Sequence, residues 1–273
     1  MSQIAIEVID AQPRKKVPGR PPLLFIHGAY CGAWAWNEHF LPYFAKNGWR
    51  SYALSLRGHG KSGGEENLHN WSLCDYVADV EQVVDGMEEV PILVGHSMGA
   101  AVAQLYAQRR AVPGMALLHP VPPEGLFTSS LHMSLYSPNA FWQLGVLQAW
   151  GHQAVSPEAV FPVLFSEATP QSAVMRYLPL MQKESARALF ELMTPGIWPA
   201  CTKAERVLVM GGEKDRFIPA DAVRRAAWAY GVTPIMDPDV PHVMLLDALW
   251  RRSADPLLDW LEDVEARAFS HSA

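Results

Sequence analysis

Cysteine is scarce in this chain, charge is thin, and no apolar run is long enough to span a bilayer. The three cysteines, Cys31, Cys74 and Cys201, form an odd set without C-x-x-C spacing. That excludes a disulfide framework and predicts reduced thiols in a cytoplasmic protein. Charged residues are 18% of the 273, with 22 Lys and Arg against 28 Asp and Glu, a formal net charge of −6. A weakly acidic chain with no Lys/Arg stripe does not suit a nucleic-acid binder. Its one basic cluster, Arg14, Lys15, Lys16 and Arg20, falls in a Pro-rich turn and reads as a solvated loop. No stretch of about 18 uncharged apolar residues occurs, so no membrane span is expected. The opening residues lack a charged region followed by an apolar run, so no secretory signal is expected either. What is present is a 49% hydrophobic chain with 10% aromatics, ample for a globular core.

Short β-rich runs alternate with helix-length segments. Ile4–Ile9 alternates like a half-exposed strand. Leu23–Ile26, Ser51–Leu54, Pro91–Val94, Met115–Leu118, Arg206–Met210 and Thr233–Met236 are apolar runs bounded by Gly or Pro. Several do not alternate, as expected of strands covered on both faces. Helical patterns fall on Ser72–Met87, with Ser72 and Asp75 in capping-box spacing, and on Ala100–Arg110, Pro219–Tyr230 and Leu245–Ala268. This order predicts an α/β fold, a mostly parallel central sheet flanked by helices. From Gly125 to Gln182 the rhythm breaks, with three charged residues (Glu158, Glu167, Arg176) in 58 positions and five prolines. Residues 1–123 and 200–273 are therefore read as the core domain, and 124–199 as a helical cap inserted between two of its strands.

The chemistry-bearing motif is Gly95-His96-Ser97-Met98-Gly99, between an apolar run and a small-residue helix. A serine on such a strand-to-helix turn must adopt a strained backbone, and its hydroxyl then projects from the carboxyl edge of the sheet. A serine attacks only with a base and an orienting acid, which in this architecture follow in the order Ser, Asp, His. Asp215 and His242 lie in loops after the two later strands, with Glu213 and Asp239 as alternative acids; the other downstream histidine, His271, is in the tail. Backbone N–H groups of Met98 and of the early loop Phe25-Ile26-His27-Gly28-Ala29-Tyr30, at Ala29, would stabilise an oxyanion. His27 itself reads as a loop-ordering side chain. Gly58-His59-Gly60-Lys61-Ser62-Gly63 has the letters of a nucleotide-binding loop. No helix opens behind it, and Ser55 stands where a phosphate-binding loop needs Gly. The ten histidines show no HxxxH or HExxH pairing, so no metal is expected.

Phe25–Ala29, Arg57–Ser62, Gly95–Gly99, the Gly-Gly-x-x-Asp ending at Asp215, and His242 together resemble the α/β-hydrolase superfamily over almost the whole chain. The pairing of His27-Gly28-Ala29 with the Ser97 motif looks like monoacylglycerol lipases and small bacterial carboxylesterases. The stretch from His27 to Trp34 also resembles the plant methylesterase and hydroxynitrile lyase branch. Gly28 and Val243 stand where those lyases carry Thr and Lys, which argues against cyanohydrin cleavage. The resemblance implies a cofactor-free serine esterase. The low charge of 125–182 is read as a roof over an apolar pocket, hence small to medium, largely apolar esters, or alternatively as a dimer interface, so a monomer or homodimer is expected. Open alternatives are a lactonase, thioesterase or C–C hydrolase on the same residues, or a hydrolase-fold receptor with negligible turnover. Tyr30, Trp142, Phe161, Phe165 and Met175 are the candidate substrate contacts, although core packing explains each of the cap side chains as well.

Overall fold

The apolar runs do not alternate because both of their faces are covered. In a computed structural model, which describes residues 4–194 and 196–270 without the side chains of 265–270, seven strands form one sheet. They are β1 (Val8–Ala11), β2 (Leu23–Ile26), β3 (Ser51–Leu54), β4 (Ile92–His96), β5 (Met115–Leu118), β6 (Val207–Gly212) and β7 (Ile235–Asp237). Their order is β1-β3-β2-β4-β5-β6-β7, with β1 antiparallel and every other pairing parallel. Successive side chains leave a strand on opposite faces, so each run feeds two cores. Leu24, Ile26, Leu93, Leu117 and Val209 enter one; Leu23, Phe25, Val94, Leu118 and Met210 enter the other.

Helices cover both faces: α1 (Trp34–Asn37), α2 (Phe40–Lys46), α3 (Leu73–Asp85), α4 (Met98–Arg109), and, after β6 and β7, α10 (Ala220–Ala229) and α11 (Arg251–Ser270). Trp36, Phe40 and Phe44 pack on the Phe25 ring with centroids 4.9, 6.2 and 5.6 Å away. On α3 the capping box forms: Ser72 Oγ accepts the Asp75 N–H at 3.1 Å, and Asp75 accepts the Ser72 N–H at 2.9 Å. Between β5 and β6 the regular elements of the described residues are helices, among them α5 (Phe127–Tyr136), α6 (Pro138–Trp150), α7 (Pro157–Leu164), α8 (Gln171–Tyr177) and α9 (Ala186–Leu192), apart from one isolated β-bridge at Ala204.

Two elements differ from expectation by more than two residues at an end. The first strand is Val8–Ala11, not Ile4–Ile9; Ala5 and Glu7 instead accept N–H bonds from Gly63 and Ser55 at 2.9 Å each, outside the sheet ladder. The last helix begins at Arg251, not Leu245. Buried Asp247 holds turns there, accepting from the N–H and Oγ of Ser166 at 2.7 Å and from Thr169 Oγ1 at 2.8 Å. No disulfide occurs among the described residues, and none of their helices is long and apolar enough to cross a membrane. His271 lies outside the described residues.

Candidate active site

Each candidate side chain sits just past the carboxyl end of a strand. β4 ends at His96, and Ser97 follows as the residue before α4. Its backbone is left-handed, φ 52° and ψ −118°, a conformation that non-glycine residues keep only where their surroundings enforce it. The motif glycines make room for it. A Cβ on Gly95 would lie 2.4 Å from the Gly99 carbonyl oxygen, and one on Gly99 2.2 Å from that of Ile26. The turn thus closes backbone against backbone, with no flexible side chain to give way. Gly99→Ala is expected to cost about 2–3 kcal/mol of stability, read as a lowered urea midpoint; a midpoint equal to the parent's would show slack in the turn.

Met98 opens α4, so its N–H belongs to the first-turn donors that a helix leaves without an internal acceptor. Ala29 lies in the loop after β2, which runs directly over the serine. A Cβ on Gly28 would come within 3.2 Å of Ser97 Cβ and 2.9 Å of His96 Nδ1. Under this loop His27 accepts the Leu56 N–H on Nε2 at 3.0 Å and donates from Nδ1 to the Gly28 carbonyl at 2.8 Å. Burial pushes its pKa down to about 3, so the ring stays neutral.

From the loop after β7, His242 faces Ser97: its Nε2 lies 3.2 Å from Ser97 Oγ, and its Nδ1 lies 2.7 Å from Asp215 Oδ2. His96 donates from Nε2 to the His242 carbonyl at 2.8 Å, which ties the histidine loop to β4. Asp215 follows β6. Its Oδ1 accepts the N–H groups of Phe217 and Ile218 at 2.7 and 3.0 Å, and its Oδ2 meets His119 Nδ1 as well as His242. Burial alone would raise its pKa; His242 and His119 outweigh that and hold the carboxyl well below the usual range, so it is ionised. The alternative acids point elsewhere. Glu213 pairs with Arg224, and Asp239 with Lys214 and Arg252 at 2.9 Å each.

Among the described residues, one trio, His119, Asp215 and His242, brings metal-competent atoms within 4.8 Å of one another. Its donors are already committed to one another, since both imidazoles meet one carboxylate oxygen and two backbone N–H groups take the other. The set does not fit an additional cation.

Ser97 and His242 open onto a cavity of about 370 Å³. Ala29, Tyr30 and Met98 line its floor, and Leu126, Met133, Phe141, Leu144, Leu192 and Met193 are among the apolar side chains over it. Four expected contacts are not there. Trp142 is 65% exposed and Met175 49%, both turned to solvent. Phe165 is buried outside the cavity, stacked on Tyr177 at 6.2 Å, with Phe161 6.0 Å from it. One residue along a helix turns the side chain by roughly 100°, which is why Phe141 lines the cavity while Trp142 does not. Sequence reasoning also missed His119 and the buried Glu184. His119 could have been found by the carboxyl-edge rule, since it directly follows β5; Glu184 carries no comparable signal.

A family model described as the alpha/beta hydrolase family matches residues 23–255. Bovine protein phosphatase methylesterase 1 is 35% identical over 98 residues, which is 35% of this chain and 26% of that protein. The non-heme chloroperoxidase of Streptomyces lividans is 32% identical over 107 residues, 37% of each chain. The chain thus matches only about a quarter to a third of the length of these relatives. In fold, an esterase from Thermogutta terrifontis superposes with a TM-score of 0.73 at 18% identity, covering 96% of this chain and 94% of that one. A monoacylglycerol lipase from Paleococcus ferrophilus superposes with a TM-score of 0.68 at 20% identity, covering 96% and 100%. Because the family match runs from β2 into α11 and so takes in most of the sequence, the chain belongs to the alpha/beta hydrolase family.

Proposed function

We propose that this protein is a serine hydrolase that cleaves carboxylic esters of small to medium, largely apolar molecules, using its own side chains without a cofactor. The observation that carries the reading is the unbroken relay from Ser97 Oγ through His242 to Asp215, opening onto an apolar cavity. Ser97 Oγ attacks the ester carbonyl carbon while His242 Nε2 takes the hydroxyl proton. Asp215 keeps the imidazole proton on Nδ1 and stabilises the imidazolium. The N–H groups of Ala29 and Met98 hold the oxyanion of the tetrahedral intermediate. Its collapse transfers the His242 proton to the departing alcohol and leaves Ser97 acylated. His242 then activates a water that attacks the acyl carbon, releasing the acid and restoring the serine. Residues 124–199 act as the cap that roofs the acyl pocket.

The pocket reading is tested with p-nitrophenyl esters of graded length, beside lactones and thioesters. Each buried methylene contributes about 0.8 kcal/mol, or roughly fourfold, so kcat/KM is expected to climb from acetyl through butanoyl to hexanoyl. Gly145 of α6 borders the cavity, and a Cβ there would meet nothing within 4 Å. Gly145→Leu should therefore flatten the rise at hexanoyl while sparing acetyl. A flat profile in the parent protein would remove the acyl pocket from the reading.

A further inference from the structure

Between α8 and α9, within 124–199, the chain runs as an irregular strap, 181–185, and its polar groups are spent largely on the core. Gln182 donates its N–H to the Tyr30 carbonyl at 3.0 Å and accepts the Gly60 N–H on Oε1 at 2.7 Å. Glu184 is fully buried, and donors converge on both of its oxygens. Oε1 accepts the Tyr76 hydroxyl at 2.6 Å and the Ser185 N–H at 2.7 Å. Oε2 accepts the Tyr30 N–H at 3.3 Å and lies 3.1 Å from His59 Nε2. The same residue is tied to α6 through its backbone. Gln148 of α6 accepts the Glu184 N–H at 3.1 Å and donates to its carbonyl at 2.7 Å.

Tyr30 is the residue that needs such a clamp. Its φ of 66° is left-handed, a state that a tyrosine leaves unless it is held. Both of its backbone polar groups are bonded to the strap, the carbonyl to Gln182 and the N–H to Glu184. Tyr30 is bonded directly to Ala29, so anchoring the Tyr30 N–H and carbonyl restrains the residue that carries the oxyanion N–H. We propose that Glu184 is a positioning residue that fixes the Ala29–Tyr30 backbone for oxyanion stabilisation and links that loop to α6. The proposal rests on the assignment of Ser97 and Ala29 above. The charge state agrees with it. Burial alone would push the His59 imidazole down, but the Glu184 carboxylate beside it raises it above its ordinary value. Burial would in turn raise the carboxyl, and His59 with its donors holds it below.

Only a carboxylate offers two acceptor oxygens to these donors; in Glu184→Gln one pair would face an amide N–H₂. An oxyanion donor acts in the transition state and not on bound substrate, so its misplacement lowers kcat at constant KM. Loss of a whole donor costs about 10²–10³, and a displaced one should cost about 10- to 100-fold. With p-nitrophenyl butanoate, Glu184→Gln is therefore expected to lose that much kcat with KM within about twofold. Affinity for butylboronic acid, which presents a tetrahedral adduct to the same N–H groups, should fall in proportion. An unchanged kcat, or a raised KM with kcat intact, would make the strap structural and overturn the proposal. Should Glu184→Gln not fold, Tyr76→Phe removes one donor from Oε1 and is read the same way, with a severalfold fall in kcat expected and an unchanged kcat overturning the proposal. Ser97→Ala in the same assay separates the failures. Turnover lost in Ser97→Ala but intact in Glu184→Gln overturns the strap alone, whereas turnover retained in Ser97→Ala overturns the site reading and the strap with it.

Discussion

Ser97→Ala is expected to lower kcat/KM for p-nitrophenyl butanoate by about 10³-fold or more while the protein stays folded. The loss follows from geometry. Ser97 Oγ stands 3.2 Å from His242 Nε2 at the mouth of the cavity, and no other hydroxyl of the described residues is bonded to that imidazole. The fold should survive because the hydroxyl carries little structural weight: although Ser97 precedes α4, its side chain makes no capping hydrogen bond. Alanine is also no worse than serine at the enforced φ of 52°. Activity left in the variant would come from the oxyanion donors and substrate binding, which still act when the nucleophile is gone. A fluorophosphonate should modify Ser97 in the parent chain and leave Ser129 and Ser130, which also border the cavity, unlabelled by peptide mass. Label on either of those, or near-parental turnover in Ser97→Ala, would move the nucleophile elsewhere.

How much of this could be read from the residues depended on whether the cause was local. Leu23–Ile26, Ser51–Leu54 and Met115–Leu118 form strands at the expected bounds, because a strand covered on both faces needs an unbroken apolar run with a turn at each end. The start of the last helix was not legible, since the turns before it depend on Asp247 meeting Ser166 and Thr169 from a distant loop. The serine motif was legible because a strand, two glycines and a helix must be contiguous to form that turn. The acid was read as Asp215 from its place after β6 and its Gly-Gly-x-x-Asp motif, but the motif left two rivals open. Glu213, Asp215 and Asp239 occupy loops of similar composition, and only side-chain direction separates the one on His242 from the two on arginines and a lysine. Trp142, Phe161, Phe165 and Met175 failed for a related reason. Where helices are apolar on every side, composition gives no signal of which face meets a cavity. Glu184 was invisible because its partners, Tyr30, His59, Tyr76 and Gln148, come from four separate segments.

Asp215→Asn should cost about 10³- to 10⁴-fold in kcat with the fold retained, and it tests that choice of acid directly. In the parent, Oδ1 is committed to the Phe217 and Ile218 N–H groups, leaving Oδ2 for His242 and His119. An asparagine that keeps its oxygen on the two backbone donors must turn its N–H₂ toward the imidazoles. His242 can then accept only on Nδ1, which moves its proton to Nε2 and aims it at Ser97, so the ring no longer accepts the serine proton. If the side chain flips, two buried backbone N–H groups lose their acceptor instead, at a stability cost of about 1–3 kcal/mol, visible as a lowered urea midpoint. Either orientation removes the charge that stabilises the imidazolium. Ionisation of Asp215 also gives a sign for pH. Its folded pKa lies below the usual carboxylate value, so the stability it contributes is present above about pH 4 and is lost as pH falls through the folded value. Asp215→Asn lacks that titration, so as pH falls below about 4 the parent should lose more of its neutral-pH stability than the variant does, and the stability gap between them should narrow. Glu213→Gln and Asp239→Asn serve as controls, because their carboxylates face Arg224, and Lys214 with Arg252, at the surface. Both should keep kcat within about twofold, as surface ion pairs contribute little. A crippled Asp239→Asn or Glu213→Gln beside a mild Asp215→Asn would transfer the orienting role to that acid and leave Asp215 as a structural partner of His119.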